Sequence, residues 1–252
     1  MLDWAKRVAA VVAFAAGILP LAVRRAILRA LLLIESRIGA PDAALKRLFA
    51  IEDDIKRLIS ERATAYGGGI NPKHRLTRYH DFFVDRILPN QRVLDLGCGI
   101  GEVARSIASR VPGARVVGVD MDEKVLARAR EIDNPPGLVF EKGDATSGIP
   151  VGPWDVVVLS NVLEHIERRV EFLRQLVAMA SPGLLLLRVP LFERDWQMAL
   201  RRELGVDFRS DPTHFIEPTL AEFQAEMDAA GLEVTEKITV WGEIWAAAKV
   251  KQ

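Results

Sequence analysis

Two hydrophobic patterns divide the chain near residue 67. From Arg92 onward, short apolar runs alternate with stretches whose apolar residues recur every third or fourth position. The runs predict strands at 92–96, 115–119, 138–141, 155–160, 184–189, 232–239 and 243–250, with helices between them at 101–110, 122–132, 167–180 and 217–230. Strands that alternate with helices predict an α/β fold, a parallel sheet covered by helices on both faces. The last two strands are separated only by Trp241-Gly242. That is too short for a crossover, so they should pair antiparallel.

Ahead of residue 67 the pattern is helical and more apolar. Residues 8–23 carry no charge and are flanked by Lys6-Arg7 and Arg24-Arg25, and a second apolar run, 26–34, is interrupted only by Arg29. The first run is short for a membrane span of roughly 20 residues, and Pro20 should split it into two helices. A membrane-surface anchor, a helical pair packed on the protein, a span and a signal peptide all fit this pattern. The basic flanks and apolar faces favour a surface contact through residues 1–39 at an anionic membrane. Asp42 is placed to cap a following amphipathic helix, with Leu45, Leu48, Phe49, Ile55, Leu58 and Ile59 on its apolar side. Gly67-Gly68-Gly69 is a joint, giving a helical extension over residues 1–66 and an α/β domain over 67–252. One helix should begin at Asn71 and run through Phe83 into the first strand, with solvated or capping roles, or a reach toward the site, open to His74, Tyr79 and His80.

The chemistry sits at one turn. The first strand breaks into Gly97-Cys98-Gly99-Ile100-Gly101, a strand-to-helix turn where backbone can approach a ligand closely. A pyrophosphate fits it poorly, because Asp95 precedes the turn and Glu102 stands where the dinucleotide fingerprint has glycine. A phosphate-free adenosine ligand carrying positive charge is favoured instead. Asp120 closes the second strand, where a carboxylate can accept hydrogen bonds from ribose hydroxyls or cap the next helix. Lys plus Arg and Asp plus Glu each number 34, so no net field draws the chain to nucleic acid. Cys98 is the single cysteine, which fits a reducing compartment and a packing role more than a reactive thiol.

The segment Asp95-Leu96-Gly97-Cys98-Gly99-Ile100-Gly101 resembles the first motif of class I S-adenosylmethionine-dependent methyltransferases. Asp120, Gly143-Asp144-Ala145 after the third strand, and the run from Asp155 to Ile166 resemble the motifs that follow, in order. The resemblance covers about residues 90–190. It implies a doubly wound, seven-stranded, mostly parallel sheet with a Rossmann-like methyltransferase fold, an antiparallel pair at the sheet edge, and S-adenosylmethionine as cofactor. It also implies cofactor-binding roles for Asp95, Gly97, Cys98, Gly99, Gly101, Asp120, Met121, Asp144, Ala145 and Asn161. For Asp144 a turn role is the alternative. Methyl transfer needs a base only when the acceptor loses a proton, and His165 is the candidate base. His214, in the loop before the last helix, is a candidate for acceptor contact.

Glu164, His165 and His214 also resemble part of a metal site of ubiquinone-pathway O-methyltransferases and small-RNA 2′-O-methyltransferases, Glu-x-x-Glu-His with a later His. Asn161 stands in place of the first Glu, and no metal is expected. Residues 191–209, with Trp196 and Arg201-Arg202, read as a lid or substrate wall. The function expected is O-methylation of a small-molecule, lipid-linked or glycan acceptor on the cytoplasmic side, peripheral to the inner face of the membrane. A non-catalytic cofactor-binding module is the alternative.

Overall fold

The computed structural model describes residues 17–251. These fall into two compact units, the first running to Ala63 and taking in Glu203–Val206, the second comprising Thr64–Arg202 with the segment from Asp207 onward. In the first unit, α1 (Leu21–Arg37) follows Pro20 at its N-cap, and none of its residues is buried. Most of the uncharged run 8–23 lies outside the described residues. The helix α2 (Pro41–Tyr66) opens two residues earlier than a cap at Asp42 implies, with Pro41 as its first residue and Asp42 inside the first turn. Proline has no N–H to leave unpaired there, and Asp42 still complements the helix dipole without being the cap. Glu35 accepts from Arg47 Nε at 2.8 Å, tying the two helices across their connection.

The second unit holds a seven-stranded sheet in the order β3-β2-β1-β4-β5-β7-β6. The strands are β1 (Arg92–Leu96), β2 (Arg115–Asp120), β3 (Leu138–Lys142), β4 (Val156–Ser160), β5 (Leu184–Pro190), β6 (Leu232–Val240) and β7 (Glu243–Val250). The first five are parallel, while β7 runs antiparallel to both β5 and β6. Strands therefore form where the apolar runs lie, and all seven match the expected segments within a residue.

Alternation along the central strands sends side chains to opposite faces. Leu94, Leu96, Val157, Leu159, Leu185 and Leu187 pack on one face with Phe172, Leu173 and Leu176 of α7 (Arg169–Ala180) and Phe223 and Met227 of α9 (Leu220–Ala229). Val93, Val116, Val156, Val158 and Leu186 pack on the other with Val103, Ala104 and Ile107 of α5 (Glu102–Arg110) and with Phe82 and Phe83. Between β2 and β3 lies α6 (Glu123–Glu131), whose N-cap Asp122 accepts from Lys124 N–H at 2.8 Å. A reciprocal Thr219–Glu222 capping box opens α9.

Two expectations need correcting. The helix anticipated through Asn71–Phe83 is two short ones, α3 (Lys73–Thr77) and α4 (Tyr79–Val84), broken where Arg78 adopts a left-handed φ of 55°. The insert between β5 and α9 carries α8 (Trp196–Glu203), and its basic pair is not a free substrate wall. Arg201 is buried and donates Nη1 to the Asp207 carbonyl, and the Arg202 guanidinium lies 4.3 Å over the Phe192 ring. Trp196 remains exposed.

Candidate active site

The site begins where β1 ends against its neighbours. Gly97 has φ 66° and Gly101 φ 83°. A Cβ on Gly97 would come within 2.7 Å of Val162 Cγ2, and one on Gly101 within 2.4 Å of Phe140 Cζ. Both positions therefore need glycine for space as well as for dihedral angle. The turn is laced to β2: Cys98 N–H donates to the Val119 carbonyl at 3.0 Å, and Gly99 N–H donates to Asp120 Oδ2 at 2.9 Å. The other Asp120 oxygen accepts from Asp122 N–H at 2.9 Å. Asp120 thus already holds two backbone groups, while each of its oxygens keeps a further lone-pair direction for a ligand.

Asp95 is fully buried, and its Oδ2 has no hydrogen-bond partner. Burial pushes its pKa up to about 7, the Asp120 charge adds to the rise, and the backbone hydrogen bond from Ala104 opposes it. An ionised Asp95 thus calls for a cationic neighbour, and among the described residues its Oδ2 has no partner. Burial also pushes the Cys98 thiol up, away from thiolate chemistry.

A chamber of about 250 Å³ opens beside these groups. Asp95, Gly97, Cys98, Gly99 and Asn161 line it together, as do Lys73, His74, Tyr79, Glu102, Ser160 and Arg188. Asn161 has φ 59°, and its buried Oδ1 has no partner. Asp120, Met121, Asp144 and Ala145 lie outside the chamber lining. Met121 is exposed, Ala145 packs on the core, and Asp144 Oδ1 accepts from Thr146 N–H at 2.8 Å and from its hydroxyl at 2.7 Å. Asp144 therefore closes its own turn.

Arg188 is the residue that pattern reading passed over. It is 5% exposed, its Nε and Nη2 grip the Glu243 carboxylate at 2.6 and 2.5 Å, and its guanidinium stacks 3.8 Å over the Tyr79 ring. The signal was present as one cation inside the otherwise apolar run Leu184–Pro190. Tyr79 hydroxyl in turn lies 2.7 Å from His74 Nδ1.

The histidines singled out at 165 and 214 gather elsewhere. His165 closes a short 3₁₀ turn, Leu163–His165, is exposed, and does not line the chamber. Its ring lies edge-on to that of His214, centroids 4.7 Å apart. Thr213 donates its single hydroxyl hydrogen to Asp211 Oδ1 at 2.6 Å, so its oxygen accepts from His165 Nδ1–H at 3.2 Å. That leaves His165 Nε2 as the basic nitrogen; although the residue is exposed, partial desolvation of its ring, followed by the His214 ring, lowers its pKa, keeping it neutral near pH 7. His214 is buried, and its Nδ1 sits 2.9 Å from Glu217 Oε1, an acid that also accepts from Arg194. Glu164 is buried with both carboxylate oxygens unpartnered, and burial raises its pKa to about 8. Glu164, His165 and His214 each offer a ligand atom within 4.8 Å of the others. An orphaned carboxylate beside two histidines whose Nδ1 atoms are already engaged fits a divalent cation.

The glycine turn, the acid closing β2 and the sheet with its reversed β7 define a class I S-adenosylmethionine-dependent methyltransferase, and the chain belongs to that family. The family model for the methyltransferase domain matches residues 70–237. Among curated relatives, a trans-aconitate 2-methyltransferase of Methylobacterium nodulans is 35% identical over 36% of this chain and 35% of its own. A ubiquinone biosynthesis O-methyltransferase of Hahella chejuensis is 33% identical over 44% and 49%. The chain thus spans about a third to a half of these relatives. A magnesium protoporphyrin IX methyltransferase of Synechocystis, solved with bound S-adenosylhomocysteine, shares the fold at a TM-score of 0.56 and 19% identity, over 71% of this chain and 83% of that one. The family's cofactor is S-adenosylmethionine.

Proposed function

We propose that this chain transfers the methyl group of S-adenosylmethionine to an oxygen of a small-molecule, lipid-linked or glycan acceptor. The observation that carries the proposal is Asp95, a buried acid without a partner at the glycine turn, where a cationic ligand would satisfy it. The cofactor supplies an activated methyl on a sulfonium. When bound, it would offer an acceptor oxygen a methyl group whose leaving group is a neutral thioether. The chain's own task is to align the acceptor, exclude water and take the hydroxyl proton. In this reading His165 Nε2 takes the proton, and Asp120 and the glycine turn hold the ribose end. The names of the relatives, acting on trans-aconitate and in ubiquinone biosynthesis, favour small-molecule acceptors.

A methyl-labelled cofactor incubated with an extract of the source cell should label one small-molecule class. His165→Ala should cut that transfer by ~10²-fold with cofactor affinity unchanged. Unchanged transfer removes His165 as the base. A second reading draws on the orphaned Glu164: with His165 and His214 it would hold a divalent cation that acidifies an acceptor hydroxyl. Activity lost to a chelator and restored by a divalent ion selects that reading.

The same proposal places residues 1–66 as an extension, 67–252 as the catalytic domain, and the enzyme at the inner face of the membrane. Ile27, Leu28, Leu31 and Ile34 of α1 are exposed beside Arg24, Arg25 and Arg29, the composition of a surface-lying helix. No helix of the described residues is long and apolar enough to cross a membrane.

A further inference from the structure

A second cavity, of about 440 Å³, opens between the segment that follows α2, the helices α3 and α4, and one side of α5. It shares His74 and Glu102 with the chamber at the glycine turn, and no group of the methyl transfer proposed above lines it. Its volume falls within the ~300–1,000 Å³ of small-molecule sites. Its charges are uneven. Arg75, Arg78 and Arg110 line it against two acids, Asp81 and Glu102. Glu102 is taken by Arg105, outside the lining, at 2.9 Å. Asp81 is shared, its Oδ2 accepting from Arg78 Nε at 2.7 Å and its Oδ1 from Arg110 Nη1 at 2.7 Å. One carboxylate thus answers two guanidinium groups, and Arg75 makes no hydrogen bond or ion pair among the described residues. Counting Arg105 with Glu102, four cations face two acids, an excess of two positive charges.

Arg78 also stands where an arginine is costly. Its φ of 55° is left-handed, which favours glycine, and its side chain is 78% exposed, so core packing does not account for it. An arginine kept at a strained, exposed position points to a use for its charge. We propose that this cavity binds a phosphate monoester, with Arg75, Arg78 and Arg110 as donors to its oxygens. Such a group carries about −1.5 to −2 charge near pH 7, which matches the excess, and guanidinium forks suit its geometry. Arg110 gives Asp81 only Nη1, so most of its five N–H donors remain for a ligand. A phosphate alone would leave much of the cavity empty, and Ile70 and Pro72 add apolar wall for the body of the ester. The ligand would lie against His74 and Glu102, outside the chamber, whichever acceptor is methylated.

The four histidines of the chain supply the reporters, since His74 and His80 line this cavity while His165 and His214 do not. Their imidazole NMR signals in the full chain, assigned by single histidine-to-glutamine substitutions, are followed during titration with inorganic phosphate and with hexyl phosphate at constant ionic strength. Both probes should move the His74 and His80 signals saturably and leave the other two in place. Hexyl phosphate binding tighter by about tenfold or more assigns the apolar wall to a chain and the head group of a lipid as the source, whereas equal affinity assigns a soluble phosphate ester. Arg75→Gln should weaken either probe by about tenfold or more, the effect of one hydrogen bond to a charged group. Arg78→Gly should weaken them likewise with Tm unchanged or raised, because glycine suits the left-handed backbone. A lower Tm with unchanged affinity would show Arg78 to be structural and overturn its role as a donor. Shifts that do not saturate, that move all four histidines alike, or that survive both substitutions overturn the site.

Discussion

Asp120 carries two jobs, and its removal separates them. In Asp120→Ala the Gly99 and Asp122 N–H groups lose a charged acceptor, each bond being 2.9 Å in the native chain. Hydrogen bonds to charged groups are worth ~1.5–3 kcal/mol each when buried. Asp120 is only half-buried, and losing its charge relieves the repulsion that helps to raise the Asp95 pKa. The net loss should therefore lie below the sum of the two, about 2 kcal/mol in total, a fall in Tm of roughly 4–8 °C for a chain of this size. Cofactor affinity should fall further, by ~10-fold or more, because the ribose loses its acceptor and the turn its anchor. Asp120→Asn should recover only part of this, since its amide oxygen replaces one acceptor and its NH₂ faces the other N–H. Thermal unfolding and calorimetry with S-adenosylhomocysteine read the two effects. A lower Tm with affinity within twofold of the parent would show Asp120 to be a loop anchor alone, and no change in either would refute the register of β2.

Three further outcomes follow from the same geometry. The Asp95 pKa is raised to about 7 in the fold, so its stabilising contribution is present below the ordinary carboxylate range near 3.8 and is lost as pH rises through 7. The ligand-free Tm should fall over that window while affinity for a cationic cofactor rises, and Asp95→Asn should flatten both curves. Glu217, with no side-chain exposure, accepts from Ser210 N–H at 2.5 Å, Ser210 Oγ at 2.6 Å, His214 and Arg194. Glu217→Ala should cost ~3–5 kcal/mol by urea unfolding, because the Arg194 charge is left without its partner; a loss below about 1 kcal/mol would mean that water replaces the acid. Full-length protein should float with anionic liposomes and lose that behaviour, while staying folded and cofactor-binding, when residues 1–39 are deleted. A full-length chain that ignores liposomes removes the anchor.

The sheet was legible because its determinants are local. Runs such as Val156–Ser160 are buried on both faces and read as continuous apolar sequence, and the two-residue link Trp241-Gly242 leaves β6 and β7 no option but to reverse. The glycine turn was legible for the same reason, since its left-handed backbone at Gly97, Gly99 and Gly101 favours glycine locally. Which charges remain unpaired was not legible, because pairing joins residues far apart in sequence. Arg188 is neutralised from β7, Glu102 from one turn along its own helix, and Lys73 by nothing among the described residues. Tertiary packing likewise drew His165 away from the chamber lining and beside Glu164 and His214, and turned Arg201 inward to brace the insert. Sequence by itself determined the strands, the turn and the class of cofactor, through spacing and sterics that act over a few residues. The electrostatic balance of the site is a sum over long-range neighbours, and only the folded chain decided it.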